Sequence, residues 1–384
     1  MLDAQFFPNI ANIDPAEWNG LFRSANPFVC HRFLSALERS GCVGTDTGWE
    51  PRHLVMRRNG EPVAAMPLYV KSHSHGEFVF DWAWAEAYAR HGLDYYPKLL
   101  TAIPYSPVTG PRIGIRAGEA EAELLTEIVS QLRQLCDVVN CSGWHLLFPE
   151  AGLEAGLETL SGAGLLRRTD VQFHWHNRNY GGFETFLASL RSSRRKNVRK
   201  ERSKVAQAGV QIRRMTGGQI SDEEWEGFYA CYRHTYLKRS GHPGYLNREF
   251  FRLLRATMAE QLMLVVAERD GQMLASALFL FDDRTLYGRY WGALEQVDFL
   301  HFECCFYQGI EFCIERGLGV FDPGTQGEHK LMRGFEPVET ASFHWISDPR
   351  FRAAIGEYLE REKDGVRLYR KQARSLLPYR RDPD

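Results

Sequence analysis

The chain repeats one order of predicted elements, and this internal repeat limits its fold more than any single motif does. In the first copy, two strands within residues 51–70 are joined by Asn59-Gly60. In the second copy, two strands within residues 262–281 are joined by Asp270-Gly271. Dipeptides of this kind favour the tight turns of β-hairpins. The repeat therefore predicts two similar units that each contain an antiparallel meander.

The two copies continue in the same way after the hairpin. An aromatic strand is predicted at 77–84 in the first copy and at 285–292 in the second. A helix and a short buried strand follow in each copy. We place the boundary near Ala163, which predicts one domain over residues 1–163 and a second over residues 164–384 that holds the active centre.

Composition supports two full cores, because 44% of the 384 residues are hydrophobic and 13% are aromatic. A formal net charge of −1 argues against bulk nucleic-acid binding but leaves room for a local basic patch. The eight Cys have no CxxC spacing, and His174 and His176 have no third ligand near them in the sequence. We therefore predict no metal site, no disulfide framework and a reducing compartment.

The first residues lack the basic and apolar regions of a signal peptide, and no run approaches 18 apolar residues. These features predict a soluble, cytoplasmic protein without integral membrane association.

Residues 285–346 hold the densest group of reactive and stacking side chains, and we predict the active centre there. A helix is expected to open at Asp298 as its N-cap and to end at Gly317. At about 100° per residue, one stripe of this helix is apolar and His301 lies on the opposite, polar face. The predicted apolar stripe consists of Phe299, Phe302, Phe306, Ile310 and Cys313.

Glu303 lies near the apolar stripe of that helix, so its carboxylate is expected on the buried side. A buried carboxylate requires a partner or a function. It could form an ion pair with an arginine such as Arg289, or it could accept a proton or hold an amine. Both interpretations stay open at this point.

The loop that follows the next short strand is rich in polar groups. Ligands in α/β folds gather beyond such strand ends, and a final strand at 336–346 fixes the far end of the loop. The alternative is an ordinary solvated turn, since Pro-Gly and Gln-Gly are turn dipeptides. The candidate side chains of the loop are Asp322, Gln326, Glu328, His329 and Lys330.

A helix within residues 191–204 is strongly basic, with Glu201 as its one acidic residue. Arg195, Arg199 and Arg202 fall at i, i+4 and i+7, so they share one face. This face either binds phosphate or is simply solvated. A polar loop between two later helices adds Tyr236, Lys238, Arg239 and Tyr245.

In the first copy, about thirty residues between the meander and the helix carry many aromatics. They could line a groove, or they could seal the interface between the two domains. The residues considered for the groove are Tyr95, Tyr96, Lys98, Tyr105 and Arg112.

Several long segments together resemble the FemAB-like family of predicted N-acyltransferases, described as peptidoglycan biosynthesis or recognition proteins of the GNAT superfamily. The resemblance covers nearly the whole chain and implies an α/β (α+β) fold of tandem GNAT-like domains, with mixed, mainly antiparallel sheets flanked by helices. It also implies transfer of an aminoacyl or acyl group to an amine, because the related Fem ligases use aminoacyl-tRNA. The segments are the basic helix with AGVQI, TYLKRSGHPGYL, GRYWG, LHFECCFYQGIEFCIERGLGVFDPGTQGEHKLMRGF and, in the first copy, FDWAWAEAYARHGLDYYPKLLTAIPYSPVTGPR.

The donor can be argued from the segment GALEQVDFLHFE at 292–303, where acetyl-CoA enzymes carry a glycine-rich pyrophosphate loop. Acidic residues stand there instead, which favours aminoacyl-tRNA as co-substrate and leaves acyl-CoA open. The acceptor is an amine, for which a nucleotide-linked peptidoglycan precursor is one candidate, and no cofactor is expected. A non-catalytic module that binds such a precursor is the third alternative.

The candidate residues fall into two groups, and the general base could belong to the protein or to the substrate. The candidates for catalysis are Glu303, His329 and Asp322. The candidates for substrate binding are Arg112, Arg195, Arg199, Arg202, Tyr236, Lys238, Arg239, Arg289, Tyr290, Trp291, Tyr307, Gln326, Glu328, Lys330 and Arg333.

Overall fold

The computed structural model describes residues 2–160, 162, 164–325 and 327–380. The boundary predicted near Ala163 and the candidate site residue Gln326 fall outside this part of the chain. No helix among the described residues is long and apolar enough to cross a membrane.

The chain divides into two compact units. The first contains Met1–Asp170 and Glu339–Leu368, and the second contains Val171–Val338 and Tyr369–Asp384. A late segment thus groups with the first unit, which a single boundary along the sequence does not express. The reason is a long-range strand pairing, since Ser342–Ile346 pair antiparallel with Gly143–Leu147.

The first unit contains two sheets. Their strand orders are β1-β3-β4-β7 and β15-β8-β6-β5-β2, in which β15 is the late strand Glu336–Ile346. Its strands are β1 (Leu2–Phe7), β2 (Trp49–Pro51), β3 (His53–Arg58), β4 (Glu61–Met66), β5 (Tyr69–Lys71), β6 (Lys98–Thr101), β7 (Gly114–Ile115) and β8 (Gly143–Leu147). Its helices are α1 (Pro15–Phe22), α2 (His31–Arg39), α3 (Trp82–Arg90), α4 (Glu121–Val139) and α5 (Ala151–Glu158).

The predicted first hairpin is confirmed, because β3 and β4 pair antiparallel across Asn59 and Gly60, which both have positive φ. The aromatic strand predicted at 77–84 is wrong. Residues 77–80 form no strand, and α3 begins at Trp82. The acidic residues of this segment, Glu77 and Asp81, instead form buried ion pairs with Lys98 of β6. This tertiary pairing overrides the strand preference of the aromatic residues.

Most of the second unit follows β9 (Leu165–His176), whose second half belongs to it. The strand order is β10-β11-β12-β13-β14-β9, in which β13 and β14 are parallel and the other pairs are antiparallel. The further strands are β10 (Gln211–Thr216), β11 (Leu262–Arg269), β12 (Gln272–Phe281), β13 (Thr285–Ala293) and β14 (Val320–Asp322). The helices are α6 (Phe183–Ser189), α7 (Ser192–Gln207), α8 (Asp222–Ser240), α9 (Arg248–Met258), α10 (Leu300–Phe302) and α11 (Gln308–Arg316).

The last elements are the predicted final strand and the long C-terminal helix. They are β15 (Glu336–Ile346) and α12 (Pro349–Ser375). The hairpin at Asp270-Gly271 is confirmed, since β11 and β12 pair antiparallel across two residues with positive φ. Both units therefore have mixed sheets flanked by helices, as the fold class predicts.

The helix of the predicted active centre departs from ideal α geometry. It begins at Leu300 after Phe299, which has a φ of 64°, so Asp298 is not its N-cap. Residues Glu303–Tyr307 then form a π-helical turn between α10 and α11. A π turn advances fewer degrees per residue than an α-helix, so the predicted helical wheel does not hold on both sides of it. Such turns are frequent at functional sites.

Candidate functional site

The candidate site lies at the end of the second unit's sheet where two parallel strands separate. Thr285–Tyr287 of β13 pair with Val320–Asp322 of β14, and β13 then continues to Ala293 while β14 ends. The loop and 3₁₀ turn after β14 meet α10 here, because the His301 and His329 rings lie 6.1 Å apart. The strand ends, the π turn and the polar loop therefore form one place in the fold.

Several basic side chains gather at this strand end, and we call them the cationic cluster. His301 lies within electrostatic range of His329, Arg239 and Lys330. Arg289 interacts electrostatically with Lys330, and both Arg289 and Arg239 interact electrostatically with Tyr236. The members of the cationic cluster are Arg239, Arg289, His301, His329, Lys330 and Arg333. The sequence predicted a role in the site for five of these six residues, and it placed His301 on a polar face of its helix.

His301 instead lies among aromatic rings, 5.3 Å from Trp291 and 5.3 Å from Phe306. Burial, and then the nearby charges of the cluster, lower the pKa of His301 to about 3. Its imidazole is therefore neutral at neutral pH. Because the sequence carries no sign of the π turn that follows it, the helical wheel gave His301 the wrong face.

Lys330 is 2% exposed and donates its Nζ to the carbonyl oxygen of Gly324. Burial lowers the pKa of Lys330 to about 8, against the opposing effect of the Asp322 carboxylate. Asp322 accepts the Gly324 amide at 2.8 Å, and its Oδ1 lies 3.7 Å from Nε2 of His174. The pKa of Lys330 thus lies close to neutral pH, so its side chain is a cation at pH 7 that loses its proton at a slightly higher pH.

His329 lies beside the same loop, with its ring 5.5 Å from those of Phe302 and Phe306. Burial, and then the charges of Arg333 and Lys330, lower its pKa below the usual range. A neutral imidazole at this position can accept a proton or a hydrogen bond.

Glu303, the leading catalytic candidate, forms an ion pair. Both of its carboxylate oxygens accept from Arg202, at 2.9 and 3.0 Å, and Gln308 donates to it at 2.8 Å. The ion pair, one of the two interpretations, is therefore present, with Arg202 of α7 in place of the example Arg289. These donors hold the Glu303 carboxylate between α7 and the π turn, and its role in catalysis stays a prediction.

Two arginines of the basic helix α7 form ion pairs with acidic side chains from elsewhere in the unit. Arg202 also donates to Glu311 at 2.6 Å, and Arg199 pairs with Glu184. Arg195 is half-buried on the same helix. The face predicted to bind phosphate therefore carries two arginines that already have carboxylate partners.

Arg333 joins the cationic cluster to α7. Its guanidinium lies 3.4 Å from the ring centre of Phe302 and donates to Glu201 at 2.7 Å. Tyr307 also donates to Glu201. Glu201, Tyr307 and Arg333 line a cavity of about 160 Å³ together with Arg194. The sequence named Arg333 and Tyr307 but gave Glu201 no role, because its partners are more than a hundred residues away.

The other candidates lie in different settings. Tyr290 is 6% exposed and Tyr236 is half-buried, whereas Lys238 and Glu328 are exposed. Arg112 lies in the first unit and is completely buried.

The buried guanidinium of Arg112 donates to backbone carbonyls of Leu147, Pro111 and Val108. Arg112 was predicted to line a groove. Its buried guanidinium instead holds the loop before β7. Among the described residues, no three His, Cys, Asp or Glu side chains are grouped as metal ligands.

The lowered pKa of Lys330 predicts a pH dependence of stability. Between pH 8 and its usual value of 10.5, the folded protein binds fewer protons at Lys330 than the unfolded chain does. The free energy of unfolding therefore rises with pH in this window, by up to about 1.4 kcal/mol per pH unit from this group. Urea unfolding of the protein and of Lys330→Met across this window measures it. Parallel curves would show that Lys330 titrates normally.

Comparison with known families gives a match over nearly the entire sequence. The profile of the FemAB-like family, described as peptidoglycan biosynthesis/recognition, matches residues 9–381. The chain belongs to the FemAB-like family. No curated protein matches it.

Solved structures support the fold of this FemAB-like chain. The crystal structure of FemX has a TM-score of 0.55 at 13% identity, covering 90% of this chain and 98% of FemX. A tandem GNAT protein from the clavulanic acid biosynthesis pathway has a TM-score of 0.50 at 11% identity, covering 91% and 99%. L-PGS from Bacillus licheniformis has a TM-score of 0.50 at 10% identity, covering 87% and 97%. The tandem GNAT-like fold that the sequence predicted is confirmed.

Proposed function

We propose that this FemAB-like protein is an N-acyltransferase that moves an aminoacyl group from aminoacyl-tRNA to an amine on an anionic acceptor. The observation that carries the proposal is the cationic cluster where β13 and β14 separate. Arg239, Arg289 and Lys330 converge there near the buried carboxylate of Asp322. Such a surplus of positive charge suits phosphate groups on the acceptor. A nucleotide-linked peptidoglycan precursor has this chemistry and agrees with the family's description.

The proposed reaction joins the acceptor nitrogen to the carbonyl carbon of the aminoacyl ester. A new amide bond forms, the ester C–O bond breaks, and the terminal ribose hydroxyl of the tRNA leaves with a proton. The amine must lose one proton during the reaction. His329 is the candidate proton acceptor, because burial lowers the pKa of its imidazole, whereas Lys330, with a pKa lowered to about 8, stays a cation at pH 7 and can orient anionic groups. Glu303 is less suited, because Arg202 and Gln308 occupy it.

An acyl-CoA donor is the second candidate, because the tandem GNAT protein of similar fold is described with reference to AcCoA. In this chain α10 begins at Leu300 directly before the π turn, and acidic residues precede it. A helix start without a glycine-rich loop and with acidic neighbours suits a pyrophosphate poorly. Binding of deacylated tRNA, compared with binding of CoA at equal salt, distinguishes the two donors.

The acceptor part of the proposal is tested by equilibrium binding of a UDP-linked peptidoglycan pentapeptide. Arg289→Gln is expected to weaken binding about tenfold or more, because it removes a charge-assisted contact to an anion. The affinity of the parent protein should also fall with added salt, and less steeply in the variant.

Arg233→Gln provides a matched control, because Arg233 is an exposed arginine on α8, the helix that carries Arg239. It should bind the precursor as the parent does. Equal affinity of the parent and Arg289→Gln, with both proteins folded, would contradict an acceptor site at the cationic cluster.

A further inference from the structure

The second unit contains a larger cavity that shares no lining residue with the cationic cluster. It has a volume of about 640 Å³, within the usual range of small-molecule sites. Its walls are formed by the end of α6, Arg191 before α7, the chain after β9, the start of β15, the end of α12 and the C-terminal tail. Its lining residues are Arg178, Tyr180, Ala188, Ser189, Arg191, Glu336, Arg374, Ser375, Leu377, Tyr379 and Arg380.

Two arginines of this cavity are held by hydrogen bonds between the C-terminal tail and the chain before α7. Arg191 donates Nε to the carbonyl of Tyr379 at 3.0 Å and Nη2 to the carbonyl of Leu377 at 2.6 Å. Arg380 donates Nε to the carbonyl of Leu190 at 3.3 Å. A guanidinium has five N–H groups, so each of these arginines keeps further donors. Little conformational entropy is lost when a ligand meets side chains that are already held.

Arg178 is fixed as well, by Glu336 and by the ring of Tyr379, whose centre lies 4.8 Å from the guanidinium. Its side chain keeps 48% of its surface exposed, so a ligand can reach it. The lining thus contains four arginines and one carboxylate. This excess of positive charge favours an anionic ligand over a cationic one.

We propose that the tail cavity, the space lined by these residues, binds a phosphorylated ligand of up to nucleotide size. Arginine forks match phosphate oxygens in paired hydrogen bonds, which lysine cannot reproduce. The ligand is either a free nucleotide or the phosphodiester backbone of an RNA strand, because both present phosphate oxygens. The site goes beyond the proposed transfer reaction and does not depend on it.

The test measures binding of UDP and of a short single-stranded RNA to the full chain by calorimetry at low salt. Arg374→Gln is the informative variant, because Arg374 is an exposed residue near the end of α12 and its loss leaves the tail anchors intact. Its affinity is expected to fall about tenfold. Tighter binding of UDP than of RNA identifies a nucleotide site, and the reverse order identifies an RNA contact.

Two controls separate this cavity from the cationic cluster. Arg367→Gln removes an exposed arginine of α12 outside the cavity and should leave affinity unchanged. Arg289→Gln should leave binding at the tail cavity intact while it weakens binding of the peptidoglycan precursor. The proposal is overturned if neither probe binds the parent, or if Arg374→Gln and an Arg374→Gln/Arg380→Gln double variant bind both probes as the parent does.

Discussion

Glu303→Gln is expected to lower the free energy of unfolding by about 3 kcal/mol while the folded variant keeps its rate of transfer. Loss of one partner of a buried ion pair costs about 3–5 kcal/mol, because the other charge stays buried without compensation. Arg202 keeps 28% of its side chain exposed and retains Glu311, so we expect the lower end of this range. Thermal unfolding and transfer rate are measured on the same sample.

Glu311→Gln is the matched control, because it removes the more exposed carboxylate that contacts Arg202 and leaves Glu303 in place. A smaller loss of stability is expected from it. If Glu303→Gln instead melts like the parent and transfers about a hundredfold more slowly, Glu303 acts in the chemistry and the structural interpretation fails.

Gly292→Ala is expected to have the largest effect on stability, by more than about 4 kcal/mol. A Cβ at position 292 would lie 2.0 Å from the carbonyl carbon and oxygen of Cys231. These are backbone atoms of α8, so no side-chain rotation relieves the clash. The helix would have to move away from β13, and the two elements carry Arg239 and Arg289 of the cationic cluster. Expression yield and circular dichroism measure the loss.

Gly319→Ala is the control for this substitution, because a Cβ there would meet its nearest atom at 3.8 Å. This variant should fold with nearly the parent's stability. A Gly292→Ala variant with an unchanged melting temperature would show that α8 and β13 do not pack as closely as described.

Local sequence signals predicted the elements whose structure is set by near neighbours. The Asn59-Gly60 turn joins β3 to β4, and the Asp270-Gly271 turn joins β11 to β12. Each depends on contacts within a few residues. The density of polar groups after β14 also predicted a site at this strand end, where His329 and Lys330 of the cationic cluster lie, because ligands gather at strand ends.

Long-range contacts were beyond the same signals. Glu303 pairs with an arginine 101 residues earlier in the chain. The basic helix contains several arginines, and the sequence does not distinguish which of them is the partner. The π turn from Glu303 to Tyr307 depends on packing and carries no residue signature that the wheel could register. The strand predicted at 77–84 failed for a related reason, because Lys98 draws Glu77 and Asp81 into buried ion pairs.

We propose aminoacyl transfer to an anionic acceptor at the cationic cluster, and this transfer can be followed directly. The most direct test follows a radiolabelled aminoacyl group from tRNA into a UDP-linked peptidoglycan pentapeptide, with the parent and Lys330→Met compared at pH 7. We predict time-dependent transfer by the parent and a loss of about a hundredfold in a folded Lys330→Met variant. Precursor binding by the parent without transfer from tRNA or acyl-CoA, or full transfer by Lys330→Met, would contradict the claim.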